Sequence, residues 1–294
     1  MVRGDRHVDV FEEHRGVLLG AAYRVLGTVQ DSEDAVQETW LRWTGVDLNE
    51  VRDPRSYLLK AVTRVALNIA RTQHRRREEY PGPWLPEPVS TDAESEPGHI
   101  AEVADEVSLA LLVVLESLTD LERAAFVLRE AFGLPYSEVA DALGRSEASV
   151  RQLAGRARGA VQARAPRQSA DPDTHREVTR LFLAAAEGSV PLEEVVPVLA
   201  PDVVLTTDAG GRAKAALKPI TGTAKVLRFI AGVLAKPENA SLRWQTCEVN
   251  GIPAFLARGK HGIDSVSWLE VEDGVVTGIQ VIRNPDKLGA LRLP

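Results

Sequence analysis

The sequence predicts two all-α modules, the second a helix-turn-helix, followed by an α+β domain with a curved antiparallel sheet. Three observations predict this. Apolar residues recur at helical spacing through 9–77 and again through 101–165. The stretch LPYSEVADALGRSEASVRQLAGRAR, Leu134 to Arg158, reads as two short helices broken by Gly144. Val139, Leu143, Val150, Leu153 and Ala157 point inward and Arg151, Gln152, Arg156 and Arg158 outward, the arrangement whose second helix enters the DNA major groove. Beyond residue 173 two helices give way to a run of strands separated by Asn250-Gly251 and Asp273-Gly274, both hairpin turn signals. Helices followed by such a run indicate an α+β domain, and 294 residues suit two or three domains.

The elements follow in order. Val17, Leu18, Ala21, Ala22 and Val25 form one helical stripe that Gly27 closes. Asp31 and Ser32 are capping residues for the next helix, with Glu33 and Asp34 in its first turn, where the helix dipole favours acids. Val36, Trp40 and Trp43 then recur at helical spacing, and Asp53-Pro54 starts a third helix that runs through Tyr57, Leu58, Ala61, Val62, Val65 and Ile69 to Arg77. Residues 79–99 carry five prolines and two glycines and read as a linker. Trp84 is out of character there and is expected to dock on something. Residues 101–165 are helical again, and 166–172 form a second linker. A helix over Thr174–Glu187 ends at Gly188, a shorter one follows Pro191, and a strand over 202–208 leads into the turn Ala209-Gly210-Gly211. A helix near Thr223–Ala235 precedes strands at Ser241–Glu248, Ile252–Ala257, Ile263–Val271 and Val275–Ile282.

Composition narrows the classes. The apolar share of 44% and charged share of 26% are those of a soluble globular protein. No run of about 18 apolar residues exists and the first residues carry no apolar signal segment. The single cysteine, Cys247, excludes an intramolecular disulfide framework and a cysteine-rich metal site. The expected location is the cytoplasm, with no cofactor and no metal. The net charge of −7 is unevenly spread. Arg64 to Arg77 holds five arginines and no acid, Glu78 to Glu106 nine acids and no Lys or Arg, and Arg145 to Arg167 six arginines against Glu147 alone. Screening over about 8 Å at physiological salt lets each basic patch act locally.

Several of these residues match a known family. DSEDAVQETWLRW, residues 31–43, resembles the second conserved region of bacterial sigma factors, and YLLKAVTRVALNIARTQHRRR, 57–77, the neighbouring segment that melts and reads the −10 promoter element. The helix-turn-helix resembles the domain that reads the −35 element, and two such domains alone are the pattern of the extracytoplasmic-function group. Trp84-Leu85-Pro86-Glu87-Pro88, Asp208-Ala209-Gly210-Gly211-Arg212 and Asn284-Pro285-Asp286-Lys287-Leu288 look like the three signatures of the SigJ-like subgroup, which carries a SnoaL-like C-terminal domain, a cone-shaped α+β fold. The chain departs from the pattern at Ala209, Arg212, Arg64 and Tyr57, which leaves the exact −10 preference open.

The resemblance implies a bacterial sigma factor that binds core RNA polymerase and directs promoter-specific initiation, with its C-terminal domain modulating activity. It implies a first sigma domain at 1–78, an acidic Pro-rich linker at 79–100, a second sigma domain at 101–165, a linker at 166–172 and a SnoaL-like regulatory domain at 173–294. Core polymerase, through its β′ coiled coil and β flap, would meet Asp31, Asp34, Gln37, Glu38, Trp40 or Trp43, and Arg42. The −10 element would meet Tyr57, Lys60, Arg64, Asn68, Arg71 and Arg75, with the loop over 45–55 closing on the displaced strand. The −35 element would meet Arg145, Ser149, Arg151, Gln152, Gly155, Arg156 and Arg158, behind a Ser146 cap. A regulatory set comprises Trp84, Leu85, Pro86, Glu87, Pro88, Asp208, Gly210, Gly211, Arg212, Asn284, Pro285, Asp286, Lys287 and Leu288, the linker docking on the last domain. Two alternatives remain: a polymerase-independent helix-turn-helix regulator, and a bifunctional protein whose C-terminal pocket binds or transforms a small molecule. Asp202, Asp208, His261, Asp264 and Arg258 are the acid–base candidates for that second alternative, although Asp208 and Asp264 read better as turn or rim residues.

Overall fold

The computed structural model describes residues 3–91, 107–164, 171–289 and 291, and the side chains of 3–5 and 74–78 lie outside that description. The chain forms two compact units, Met1–Glu79 with Glu96–Ala165, and Tyr80–Ser95 with Pro166–Pro294. No helix among the described residues is long and apolar enough to cross a membrane.

The described residues of the first unit form the helices α1 (Arg3–Leu26), α2 (Val29–Trp43), α3 (Pro54–Glu78), α4 (Leu109–Glu116), α5 (Asp120–Phe126), α6 (Tyr136–Leu143) and α7 (Glu147–Arg164), joined by loops and turns. α1, α2 and α3 bury Phe11, Leu18, Tyr23, Trp43, Leu58 and Val62 between them. The helix α2 begins two residues earlier than Asp31, so Asp31 and Ser32 are first-turn residues rather than caps. Ser32 Oγ donates to the Thr28 carbonyl (2.5 Å) and Thr28 Oγ1 donates to Asp31. Asp53 does cap α3, its Oδ1 accepting from the Ser56 amide at 3.1 Å, with Pro54 in the first turn. α5 opens on a capping box in which Thr119 and Glu122 satisfy each other's amides. Gly144 has φ +61°, the left-handed conformation that ends α6 and turns the chain into α7.

The second unit contains α8 (Pro172–Glu187), β1 (Leu199–Asp208), β2 (Ile220–Thr221), α9 (Thr223–Leu234), β3 (Arg243–Val249), β4 (Ile252–Gly259), β5 (Gly262–Glu272) and β6 (Val275–Ile282). The six strands form one sheet in the order β2-β1-β6-β5-β4-β3. This is the expected α+β architecture with one difference: β1 runs parallel to β6 while every other pair is antiparallel. Parallel neighbours need a long crossover, and α9 with the β3–β5 meander supplies it. One face packs on α8 and α9 around Val178, Phe182, Val203, Leu205, Val226, Leu269 and Ile279.

Glu270, on β5, is mostly buried, and its Oε1 accepts from Gln280 Nε2 at 2.9 Å. Gln280 Oε1 has no partner among the described residues. Burial pushes the Glu270 carboxyl above its ordinary value, with Gln280 opposing and Glu272 adding to the rise. A raised folded value means the folded chain holds the proton longer, so this contribution to stability is complete below the ordinary carboxylate pKa of about 4.3 and is lost as pH rises through the raised one. Glu270→Gln, which supplies a permanent donor for Gln280, should flatten that pH dependence and raise the thermal midpoint near pH 7. A variant that unfolds with the parent's pH profile would contradict this.

Candidate nucleic-acid interface and linker clasp

The recognition helix α7 buries Val150, Leu153, Ala154 and Ala157 and exposes Arg151, Gln152, Gly155, Arg156 and Arg158, with Arg145 exposed just before it and Ser149 half-buried. Ser146 Oγ accepts from the Ser149 amide at 3.3 Å, the expected cap. An acid already holds each of the three outer arginines. Arg151 bridges Glu147 at 2.8 Å and lies over the Tyr136 ring, Arg156 bridges Glu122 at 2.6 Å, and Arg158 bridges Glu130 at 2.6 Å. The Arg156 guanidinium holds the Glu122 carboxyl below the usual carboxylate range. These pairs are mostly exposed and individually weak. They orient the guanidinium groups along the outer face of α7.

The helix α3 presents the −10 candidates. Tyr57 is exposed with its ring 5.6 Å from that of Trp43, and Asn68 and Arg71 are exposed and hydrogen-bonded to each other at 3.4 Å. The side chain of Arg75 lies outside the described residues. Lys60 and Arg64 are engaged within the protein. Arg64 donates from Nε to the Ala142 carbonyl (2.9 Å) and from Nη2 to the Asp141 carbonyl (2.6 Å), the C-terminal carbonyls of α6, where a cation is favoured. Lys60 Nζ is 3.2 Å from Glu138, and Ser56 Oγ donates to the same carboxylate. Ser56, Lys60 and Arg64 recur every four residues, so one stripe of α3 grips one face of α6. Deeper in, Arg123 on α5, 3% exposed, donates to the Val25 carbonyl at the end of α1 (2.9 Å) and bridges Glu116 at 3.0 Å. Ser56, Glu138 and Arg123 escaped the sequence reading, because nothing in periodicity distinguishes a polar residue facing solvent from one facing another helix.

On α2, Asp34, Gln37, Glu38 and Arg42 are exposed, with Glu38 and Arg42 paired; Asp31 is half-buried. Trp40 is half-buried against Phe11. Trp43 is not a surface anchor: it is 1% exposed and its Nε1 donates to the His7 carbonyl at 3.0 Å. The apolar residue on the open face is Leu41, 65% exposed, which falls between the stripes that periodicity selects.

The three signature segments converge within the second unit. Asp208, fully buried, is their hub and not a rim residue. Its Oδ2 accepts from the Leu85 amide (2.8 Å) and from Lys287 Nζ (2.7 Å), and its Oδ1 accepts from the Tyr80 hydroxyl. Lys287, also buried, donates to the Leu85 carbonyl at 2.5 Å and lies 3.2 Å from the centroid of the Trp84 ring. Asn284 Nδ2 donates to the Tyr80 hydroxyl at 2.9 Å, and the Arg283 and Asn284 amides donate to the Asp208 carbonyl. Burial, with Asp208 beside it, pushes the Tyr80 hydroxyl well above its ordinary range, so it stays a donor. Gly210 and Gly211 have φ of +57° and +70°, and a Cβ there would lie 2.6 Å from Asn284 Nδ2 and 2.6 Å from Pro81 Cγ, so the close approach of the linker requires glycine twice. Leu85, Pro86, Glu87, Pro88, Val89 and Ser90 are buried. Val89 and Thr91 exchange hydrogen bonds with Asn250 and Glu248, which covers the end of the edge strand β3. Arg212 and Asp286 form only an exposed pair at 3.7 Å, and Pro285 and Leu288 complete the last turn.

The acid–base candidates do not converge. Asp208 is held in the clasp, Asp264 accepts from Arg283 Nη2 at 2.9 Å through both oxygens, and Asp202 and His261 are exposed. Arg258 sits mid-sheet opposite Arg243.

The family described as sigma-70 region 2 matches residues 10–76, and that described as sigma-70, region 4 matches 108–161. The ECF RNA polymerase sigma factor SigJ of Mycobacterium tuberculosis is 42% identical over 292 residues, covering 95% of this chain and 92% of its own. The probable ECF RNA polymerase sigma factor SigI of the same species is 32% identical over 281 residues, covering 95% and 93%. A crystal structure of M. tuberculosis SigJ superposes with a TM-score of 0.79 at 38% identity, covering 98% of this chain and 100% of that one.

Proposed function

Because the chain belongs to the extracytoplasmic-function family of RNA polymerase sigma factors, we propose how its residues divide that family's work of directing core RNA polymerase to promoters. Asp34, Gln37, Glu38, Leu41 and Arg42, with Trp40 beneath them, meet the β′ coiled coil. The helix-turn-helix meets the β flap and reads −35 with Arg151, Gln152 and Arg156 at base edges, while Arg145, Ser149 and Arg158 hold phosphate and Gly155 leaves room for the backbone. Tyr57, Asn68 and Arg71 receive the −10 strand, Tyr57 offering the stacking surface that an unpaired base needs. Lys60, Arg64 and Arg75 supply its phosphate contacts. The observation that carries this division is the outward row of arginines on a capped α7, beside a helix α3 that exposes an aromatic ring and two polar side chains.

The free chain, on this reading, is closed. A compact unit of about 150 residues has a radius of gyration near ~15 Å. The −10 and −35 elements lie ~25 base pairs apart, about 85 Å along B-DNA. Since Lys60 and Arg64 are occupied by α6, the two readers must separate before both elements are engaged. The clasp on Asp208 is the proposed control. It fixes the linker that leaves α3 and so restrains how far that separation goes, which is binding and not catalysis, in the cytoplasm.

Run-off transcription from a linear promoter template tests the core of this. Core polymerase with the full chain should give one discrete product, and core polymerase alone none. Arg156→Ala should weaken promoter binding by about 1–3 kcal/mol, with discrimination lost at one −35 position only. Absence of a product from the complete mixture would overturn the reading.

A further inference from the structure

The second unit encloses a cavity of about 120 Å³ between α8, α9 and the concave face of the sheet. Its wall is apolar, built from Phe182, Leu205, Phe229, Trp244, Phe255 and Ile279. The cavity explains an oddity of α9, which is strongly apolar yet buries only Val226. Phe229, Ile230, Val233 and Leu234 face the void instead. A largely apolar space of this size is comparable to the engineered cavity of ~150 Å³ that takes up benzene.

Two features show what kind of molecule fits. Ser265 and Ser267 line the cavity from β5 and are 6% and 5% exposed. Neither hydroxyl has a hydrogen-bond partner among the described residues. Ser267 stands in register between Phe255 on β4 and Val281 on β6, both of which also line the space, so its hydroxyl sits in the middle of an apolar floor. Buried hydroxyls ordinarily find a partner. Two of the charged lining residues are already paired, Arg283 Nη2 holding both oxygens of Asp264 at 2.9 Å while its Nη1 donates to the Lys214 carbonyl at 2.7 Å, and the third, Lys214, is exposed to solvent. A charged group carried in among Phe229, Phe255 and Ile279 would be stripped of water with only apolar side chains around it.

We propose that this cavity binds a small, uncharged, single-ring organic molecule bearing one hydroxyl or carbonyl oxygen. The ring lies against Phe229, Trp244 and Phe255, and the oxygen meets Ser265 and Ser267. The site is built on the same strand ends as the clasp. Thr207 and Arg283 line the cavity, their immediate neighbours are Asp208 and Asn284, and the Arg283 amide donates to the Asp208 carbonyl at 2.7 Å. Occupancy therefore acts on the residues that hold Tyr80 and Leu85; this second half rests on the regulatory reading of the clasp, whereas binding itself does not.

Calorimetric titration of the full chain, with no polymerase present, separates the two. p-Cresol should bind one to one and tighter than toluene by roughly 2- to 12-fold, the worth of a neutral hydrogen bond. The anion p-toluate should give no heat. Ser265→Ala with Ser267→Ala should bring the p-cresol to toluene ratio close to one while toluene still binds, and Ala186→Leu, which fills the space, should abolish both. In hydrogen exchange, saturating p-cresol should alter the protection of the Leu85 amide. No binding of p-cresol or toluene, or binding indifferent to Ala186→Leu, would overturn the site. Binding with unchanged Leu85 exchange would overturn the link to the linker.

Discussion

Asp208→Ala is expected to destabilise the second unit by about 3–5 kcal/mol and to release the linker from it. The reason is the asymmetry of buried ion pairs. Removing one partner leaves the other charged, desolvated and unanswered, which costs far more than the intact pair contributes. Lys287 would lose its carboxylate partner, and the Leu85 amide and Tyr80 hydroxyl would lose their acceptor. Lys287→Met in the same background removes the stranded charge and should recover part of the loss. A double-mutant cycle by urea unfolding measures both quantities. Single-variant losses below about 1 kcal/mol, or no recovery in the double variant, would mean that the hub is not what seats the linker. The same variants read out function: run-off transcription should change while Arg151 and Arg156 are untouched.

The second large effect concerns the contact between α3 and α6. Glu138→Ala removes the acceptor of Ser56 and the partner of Lys60, leaving Arg64 alone to hold the C-terminal carbonyls of α6. The Lys60–Glu138 pair is a quarter to a third exposed and is discounted for solvent accordingly. The combined loss of about 1–2 kcal/mol would shift the closed-to-open ratio roughly 5- to 30-fold. Small-angle scattering of the free variant should show a larger radius of gyration, and core polymerase should bind it more tightly by a similar factor. Unchanged scattering with unchanged affinity would show that the contact imposes no restraint.

Much of this was legible in the residues. The helix-turn-helix could be read because its constraint is local: period 3.6, a glycine at the turn, a serine cap. The three signatures were legible as segments, and Trp84 announced a docking event because a large aromatic ring has no reason to sit in an acidic, proline-rich stretch. What the sequence left hidden is long-range. Asp208 looks like any residue opening a glycine turn until Lys287 and Leu85 are brought to it. Trp43 carries the same spacing as Trp40, and only the position of His7 separates a core ring from a surface one. The parallel pairing of β1 with β6 leaves no mark in alternation, which fixes faces and not neighbours. Arg64 reads as a DNA contact by charge and proves, in the free protein, to be a helix cap for a different module.

The clasp also dictates a timetable. Its two halves, around residues 80–85 and 284–287, are separated by some 200 positions along the chain. At ~5–20 residues per second of synthesis, the docking segment leaves the ribosome about 10–40 s before Lys287 exists to receive it. Every newborn molecule therefore passes through a period in which both promoter-reading modules are complete and nothing yet holds the strap. On the proposed reading of the clasp, restraint is the last property this polypeptide acquires, and its youngest copies are its least governed ones.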